Sequence, residues 1–506
     1  MERVLVECDR AALGFDAEAV HDLRVALRRC RSLADGMMAI DPDSSWKDMK
    51  KSGKRLFQAL GELRDMQVMQ EWIEKLSGAG DDKDPAAIKL LNHVRAREAE
   101  CKQHAFKDLG QFDRKQWRQW TRTLPRRAAQ VRPGSAVYLH LALEKWTAAY
   151  DLHKHALRTR SQASWHELRI GIKRFRYTVE NFLPRQHALW GDDLKELQDV
   201  LGEVHDLDVL WTMAVASDVS AFPDLESRNR WRDKLNAERV KRIGRYREKM
   251  VGRESLWRVW RAVLPSGPQL QAAAMSRLRV WAGYVDPDFA HSQRVAQLAL
   301  LLFDGLRDAN LLTTGAADQA DEVPNGGGSN RKHDSRAVLQ AAALMHDVGK
   351  AKGQEDHQKR SYRMIQGLAR PLGWSARDLE LAAVVARYHR GALPHPRRKT
   401  LQILELPDRS IAVALAAVLR LANALDMSHG RHGLNGKANH DAPQLEVSLQ
   451  EHSVVVRVAG YSVFDRSAED IAAARHLLET VLRQPVLVRT LRAAVGGGRS
   501  TGRTGT

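Results

Sequence analysis

"HDLRVALRRCR", residues 21–31, returns 145 positions later as "HELRIGIKRFR", residues 166–176. One such pair could be coincidence, but "KRLFQALGELRDMQV" (54–68) also returns, 141 positions later, as "KELQDVLGEVHDLDV" (195–209). Two pairs in the same order make the first half a tandem duplication, and the unequal offsets place a four-residue insertion or deletion between them. Each first segment is sorted by helical period. At roughly 100° per residue His21, Arg24, Arg28 and Arg31 fall within about 80° of one another, with Leu23, Leu27 and Cys30 opposite. The second copy sets His166, Arg169, Lys173 and Arg176 against Leu168, Ile172 and Phe175. Helical spacing dominates the rest of the chain, and strand-like alternation is confined to "LEVSLQ" and "SVVVRVAG" near the end. The expected fold is mainly α, with a small C-terminal β element.

A face with cations at i, i+4 and i+7 works against its own helix through repulsion, and a merely solvated face interleaves acids, which this stripe lacks. Guanidinium groups present planar forks of donors that match phosphate oxygens, so the stripe points to a polyanion. Each partner segment adds cations, Lys54 and Arg64 in the first copy and Lys195 in the second, where His205 replaces Arg64. The whole chain agrees, with 80 Lys+Arg against 62 Asp+Glu in 506 residues and a formal charge of +18. The stripe has few exposed aromatics at base-stacking spacing and no helix-turn-helix, zinc-finger or RNA-recognition signature is legible, which argues against sequence-specific nucleic-acid reading. The apolar side of each stripe helix is needed for bundle packing, which argues against a membrane surface. Cys8, Cys30 and Cys101 are odd in number and lack CxxC spacing, suiting a reducing compartment. With neither a signal peptide nor a membrane-spanning stretch in evidence, a cytoplasmic protein is expected.

These paired histidine–arginine helices, each followed by an "LGE" segment, resemble the CHAD domain, a helical domain of two similar bundles around a basic cavity that binds inorganic polyphosphate. The resemblance covers about residues 1–262. It implies that His21, Arg24, Arg28, Arg31, Lys54 and Arg64, with His166, Arg169, Lys173, Arg176 and Lys195, line the cavity.

The second half carries "AALMHDVGKAKG" (342–353), whose adjacent His346 and Asp347 can share one divalent metal if other segments complete the shell. Those segments exist: "HSQRVAQLALLLFD" begins with His291 and "HQKRSYRMI" with His357. "ARYHRGALP" supplies His389, and "LRLANALDMSH" supplies Asn423 and Asp426. Imidazoles and carboxylates arriving from separate helices suit a site of one or two ions.

These strings resemble the HD superfamily of metal-dependent phosphohydrolases, in particular the C-terminal domain of the exopolyphosphatase/guanosine pentaphosphatase family, over about residues 275–490. The resemblance implies His291, His346 and Asp347 as core ligands of an Mn, Fe, Mg or Zn ion, and His357 and His389 as ligands of a second. Lys350 joins His346 and Asp347 as a catalytic candidate, and Arg294 and Arg390 are candidates for phosphate binding. The chain departs from the pattern at Asn423, where the family has aspartate. An amide oxygen brings no charge, and Asp426, at i+3 on the same helical face, is a candidate substitute. The ATPase-like domains that carry the main hydrolytic site in exopolyphosphatases are missing, so any hydrolysis falls to the HD site.

The expected organisation is a polyphosphate-binding domain over 1–264, with repeats at about 1–130 and 135–262, then an HD domain over 275–490. A mobile insertion is expected at 313–335 and a disordered tail at 491–506. The expected function is polyphosphate binding joined to metal-dependent hydrolysis of that polymer or a related phosphoanhydride or phosphoester. The alternative is a non-catalytic binding or scaffolding protein with a weakened metal site, and a nucleotide phosphodiesterase has less support because no base-binding pocket is legible. Oligomeric state is not fixed by the sequence, and a homo-oligomer remains compatible with it.

Overall fold

The computed structural model describes residues 1–77, 84–216, 222–312, 334–429, 444–459, 461 and 467–491. Most of the expected 313–335 insertion and nearly all of the expected tail lie outside these described residues. The chain divides into two compact units, Met1–Ala273 and Ala274–Thr506.

The first unit is helical throughout its described residues and shows the duplication directly. Its first copy runs α1 (Glu2–Gly14), α2 (Ala17–Met37), α3 (Ser44–Ser52), α4 (Lys54–Ser77), α5 (Pro85–Gly110) and α6 (Arg114–Ala128). The second runs α7 (Ala136–Thr159), α8 (Gln162–Phe182), α9 (Pro184–Ala214), α10 (Leu225–Met250) and α11 (Leu256–Val263). Helices α2 and α8 are both 21 residues long. The offset changes just after them: residues 38–43 join α2 to α3, whereas Leu183 alone separates α8 from α9. The longer connection is anchored by Asp41, buried, whose carboxylate accepts from Trp46 Nε1 at 2.8 Å and from Arg127 Nε and Nη2 at 2.8 and 2.6 Å.

Local sequence explains how the stripe helices are set. Asp16 caps α2 by accepting from Ala19 N at 2.8 Å, and Ser161 caps α8 by accepting from Ser164 N at 3.2 Å. Their apolar faces, Leu23, Leu27 and Cys30 in one and Leu168, Ile172 and Phe175 in the other, are buried as the period requires. The two helices meet at Gly36, where any Cβ would overlap the Phe182 ring, and Asn181 Nδ2 donates to Ser32 Oγ at 3.0 Å. The α4–α5 and α9–α10 hairpins share a core that includes Trp72, Ile73, Leu90, Leu210 and Trp231. The three cysteines are buried free thiols.

Helix α12 (Gly267–Val285) carries the division between the units. The second unit continues with α13 (Phe289–Asp308), α14 (Ser335–Met345), a 3-10 turn (Val348–Lys352), α15 (His357–Gln366), α16 (Ala376–Arg387), α17 (Lys399–Gln402) and α18 (Leu406–His429). Then come β1 (Leu445–Gln450), β2 (Ser453–Val458), α19 (Ser467–Leu482) and β3 (Val486–Thr490). The strands lie in the order β1-β2-β3, with β1 antiparallel and β3 parallel to β2, and α19 as the crossover. The sheet contains one strand more than the alternation indicates. "VLVRT" is five residues of edge strand directly behind a helix, too short for a period of two to separate from helical spacing. The core runs along α13, α14, α16 and α18, including Leu302, Leu344, Val384 and Leu419, all essentially sealed from solvent. No described helix is long and apolar enough to cross a membrane.

Candidate functional site

In the first unit, the packing of α2 on α8 brings cations of both copies together. Arg24, Arg28, Arg169 and Lys173 are all partly buried, and none forms an ion pair within 4 Å among the described residues. The Nε atoms of Arg24, Arg28 and Arg169 are buried without a hydrogen-bond partner. Such atoms are costly to leave unpaired in water-poor surroundings. Burial pulls the Arg24 guanidinium below its ordinary value, Asp65 partly offsets this, and Arg28 and Arg169 add repulsion. Lys173 is pushed down to about 7, first by burial and then by Arg169, Arg24 and Arg28, with Asp206 opposing. His166 and His205 touch through their Nδ1 atoms at 3.2 Å. Burial, then Arg169, His166 and Lys173, hold His205 down to about 4, so this pair is neutral near pH 7.

The remaining stripe residues are placed differently. Arg31 donates from Nη1 to Lys50 O at 2.5 Å and lies 5.0 Å from the Phe57 ring centroid. Arg176 approaches Glu180 at 3.8 Å, and Arg64 is paired with Glu71 at 3.3 Å. His21, Lys54 and Lys195 are exposed. The structure therefore gathers Arg24, Arg28, His166, Arg169 and Lys173 with His205, and commits Arg31, Arg64 and Arg176 to other partners.

Two acids belong to this cluster and escaped the sequence reading. Asp65 on α4 and Asp206 on α9 both have carboxyls raised above the usual range, by burial first and against the pull of Arg169 and Lys173. Asp206 reaches about 6, with Asp65 adding repulsion. A signal was there, since the two aspartates are the same position of the duplicated "LGE" segment, 141 residues apart. Tyr177 on α8 was also missed, and Arg28 lies 5.6 Å from its ring centroid.

In the second unit, the ends of α13, α14, α15 and α16 and the last third of α18 converge on Asp347. It is 2% exposed, and each of its carboxylate oxygens faces a separate group of imidazoles. Oδ2 lies 3.6 Å from His291 Nε2 and 3.4 Å from His346 Nε2, while Oδ1 lies 3.1 Å from His357 Nε2 and 3.6 Å from His389 Nε2. Asn423 Oδ1 is 3.1 Å from His291 Nε2, and Lys350 Nζ forms a close ion pair with Asp347 Oδ2.

The histidines are oriented from behind. Nδ1–H of His346 donates to Ala343 O at 2.7 Å, that of His357 to Gln354 O at 2.8 Å, and that of His389 to Ala386 O at 2.8 Å. A carbonyl only accepts, so the proton sits on Nδ1 and the Nε2 lone pair is aimed inward. Close packing of the 3-10 turn on α15 depends on Gly349, where a Cβ would collide with His357 O and lie 2.7 Å from Ser361 N.

These residues fit divalent metal. Donor atoms about 2.1 Å from a shared ion are separated by roughly 3.0 Å in octahedral and 3.4 Å in tetrahedral geometry, and the observed separations run from 3.1 to 3.6 Å. Two groups emerge, His291, His346, Asp347 Oδ2 and Asn423 on one side and Asp347 Oδ1, His357 and His389 on the other.

Asp426 does not take the expected place as a ligand. It lies behind His291, accepting from Nδ1 at 2.6 Å, and both its oxygens also accept from Arg294, at 2.8 and 3.0 Å. The i+3 spacing from Asn423 puts it on the same side of α18, but one imidazole width further out. Arg294, expected to bind phosphate, therefore spends Nε and Nη2 on Asp426, and Arg390 is exposed.

Comparison with known families follows the same division. Residues 2–215 match the family model of the CHAD domain, and residues 284–456 match that of the Ppx/GppA phosphatase, domain III. Both matches point to a polyphosphate-related function. No curated protein matches the chain significantly.

Proposed function

We propose that this chain binds inorganic polyphosphate through the cationic cluster of its first unit and hydrolyses phosphoanhydride or phosphoester bonds at an HD-type metal site in its second. The binding domain extends beyond the matched residues to about residue 264, because α10 and α11 complete the second copy of the repeat. The observation that carries the reading is the set of unpartnered, buried Nε atoms on Arg24, Arg28 and Arg169, beside a Lys173 that burial and then neighbouring cations push down to about 7. A chain of phosphates supplies the acceptors those donors lack, and its charge lets Lys173 hold its proton.

For the second unit, His291, His346, Asp347, Asn423, His357 and His389 would hold one or two divalent ions. Bound there, the metal supplies Lewis-acid polarisation of a phosphoryl oxygen and lowers the pKa of water. The protein contributes the rest. Nδ1 hydrogen bonds keep four imidazoles aimed at Asp347, with Asp426 and Arg294 bracing His291. The buried ligands exclude bulk water. Lys350, whose side chain is 20% exposed, reaches the mouth of the site and can pair its ammonium with an equatorial phosphoryl oxygen.

A second reading has its own support. Asn423 and the Lys350–Asp347 ion pair both weaken metal binding, which favours a chain that retains the polymer without cleaving it. Phosphate release from long-chain polyphosphate, compared between the parent and Asp347→Ala, decides between them. Equal release from both excludes catalysis at this site and leaves the binding reading.

A further inference from the structure

The two groups around Asp347 differ in what an incoming cation would meet. On the Oδ1 side, His357 and His389 bring their Nε2 atoms within 3.3 Å of each other, with both Nδ1 protons committed to backbone carbonyls. Two lone pairs aimed at each other in a buried place repel unless a cation sits between them. Oδ1 completes the triangle and is itself buried without a hydrogen-bond donor, and the three residues are each at most 2% exposed. Nothing in this group has to move or lose a partner before an ion enters.

On the Oδ2 side the same carboxylate is already engaged by the Lys350 ammonium. An ion arriving there must displace that ammonium or tolerate it at close range, and it gains from Asn423 an amide oxygen without charge. The additional ligand count on this side is offset by a positive neighbour and a neutral donor. Site charge and readiness both favour the other side.

We infer that the two halves load unequally, with the Asp347 Oδ1, His357 and His389 half binding a divalent ion first and more tightly, and the His291, His346 and Asn423 half filling second. This rests on the metal-centre reading given above. It makes the second half the one whose occupancy follows the free metal concentration.

The test is titration of metal-free, full-length protein with Mn²⁺ alone, read by calorimetry and by the EPR signal of free Mn²⁺. The parent should show two classes differing at least ten-fold. His389→Ala should remove the tight class and His291→Ala the weak one. Two milder changes keep the outcome readable if the alanine variants misfold: Asn423→Asp and Lys350→Met should each tighten the weak class and leave the tight one within two-fold. Loss of the tight class in His291→Ala with its survival in His389→Ala, or tightening of the first class by Asn423→Asp, would overturn the inference while leaving a metal centre in place. So would two equal classes. No Mn²⁺ uptake by the parent would remove the metal-centre reading and the inference together.

Discussion

Lys173 offers a binding signature that a generic basic surface would not produce. Its neighbours hold it at about 7 against an ordinary 10.5, chiefly by burial and then by Arg169, Arg24 and Arg28. A bound polyanion reverses the balance, so the ammonium form should predominate in the complex across neutral pH. From that difference, binding at pH 7.5 should take up about three-quarters of a proton, and affinity should fall about five-fold between pH 7 and 8. The sign follows because the complex binds more protons than the free protein in this window. Asp206, near 6, and His205, near 4, contribute mainly at lower pH. Long-chain polyphosphate minimises protons from chain ends. Calorimetry in two buffers of different ionisation enthalpy measures the uptake, and Lys173→Arg, always charged, should bind with a nearly flat profile. Affinity of the parent that does not change from pH 7 to 8, or an arginine variant with the same slope, would refute the reasoning.

Other outcomes follow from the same geometry. Replacing both Arg28 and Lys173 by glutamate should abolish retention on polyphosphate while circular dichroism shows unchanged helix content. In the free protein, protonation of Lys173 opposes folding, because its folded pKa lies below its unfolded one. Lys173→Met should therefore raise Tm at pH 7, with the gain shrinking as pH climbs toward 10.5, followed by thermal melts. Asp426→Asn should cost roughly 10- to 100-fold in metal affinity at the His291 half, measured by Mn²⁺ titration, because His291 loses its brace. Gly349→Ala should destabilise the second unit by about 1–3 kcal/mol in denaturant melts, since backbone atoms of α15 occupy the space.

Much of this molecule is legible in its sequence for a physical reason: duplication prints each stripe helix twice. The buried apolar faces of α2 and α8 follow from the sequence, because helical period alone decides which residues share a side. Partners across helices are not periodic, so the pairing of Arg31, Arg64 and Arg176 with other groups, and the presence of Asp65 and Asp206 among the cations, needed the packed structure. In the second unit, motif strings identify the histidines that surround Asp347. They do not reveal that Asp426 stands behind His291, because a one-dimensional spacing fixes a helix face but not depth from Asp347. Nor does sequence show the backbone carbonyls of Ala343, Gln354 and Ala386, which set the tautomers, since a carbonyl is common to every residue.

The two copies in the first unit set nearly matching groups at equivalent positions, Arg24 with Arg169, Arg28 with Lys173 and Asp65 with Asp206. A polymer of identical units suits such repetition, because each copy would meet a different unit with the same kind of donor.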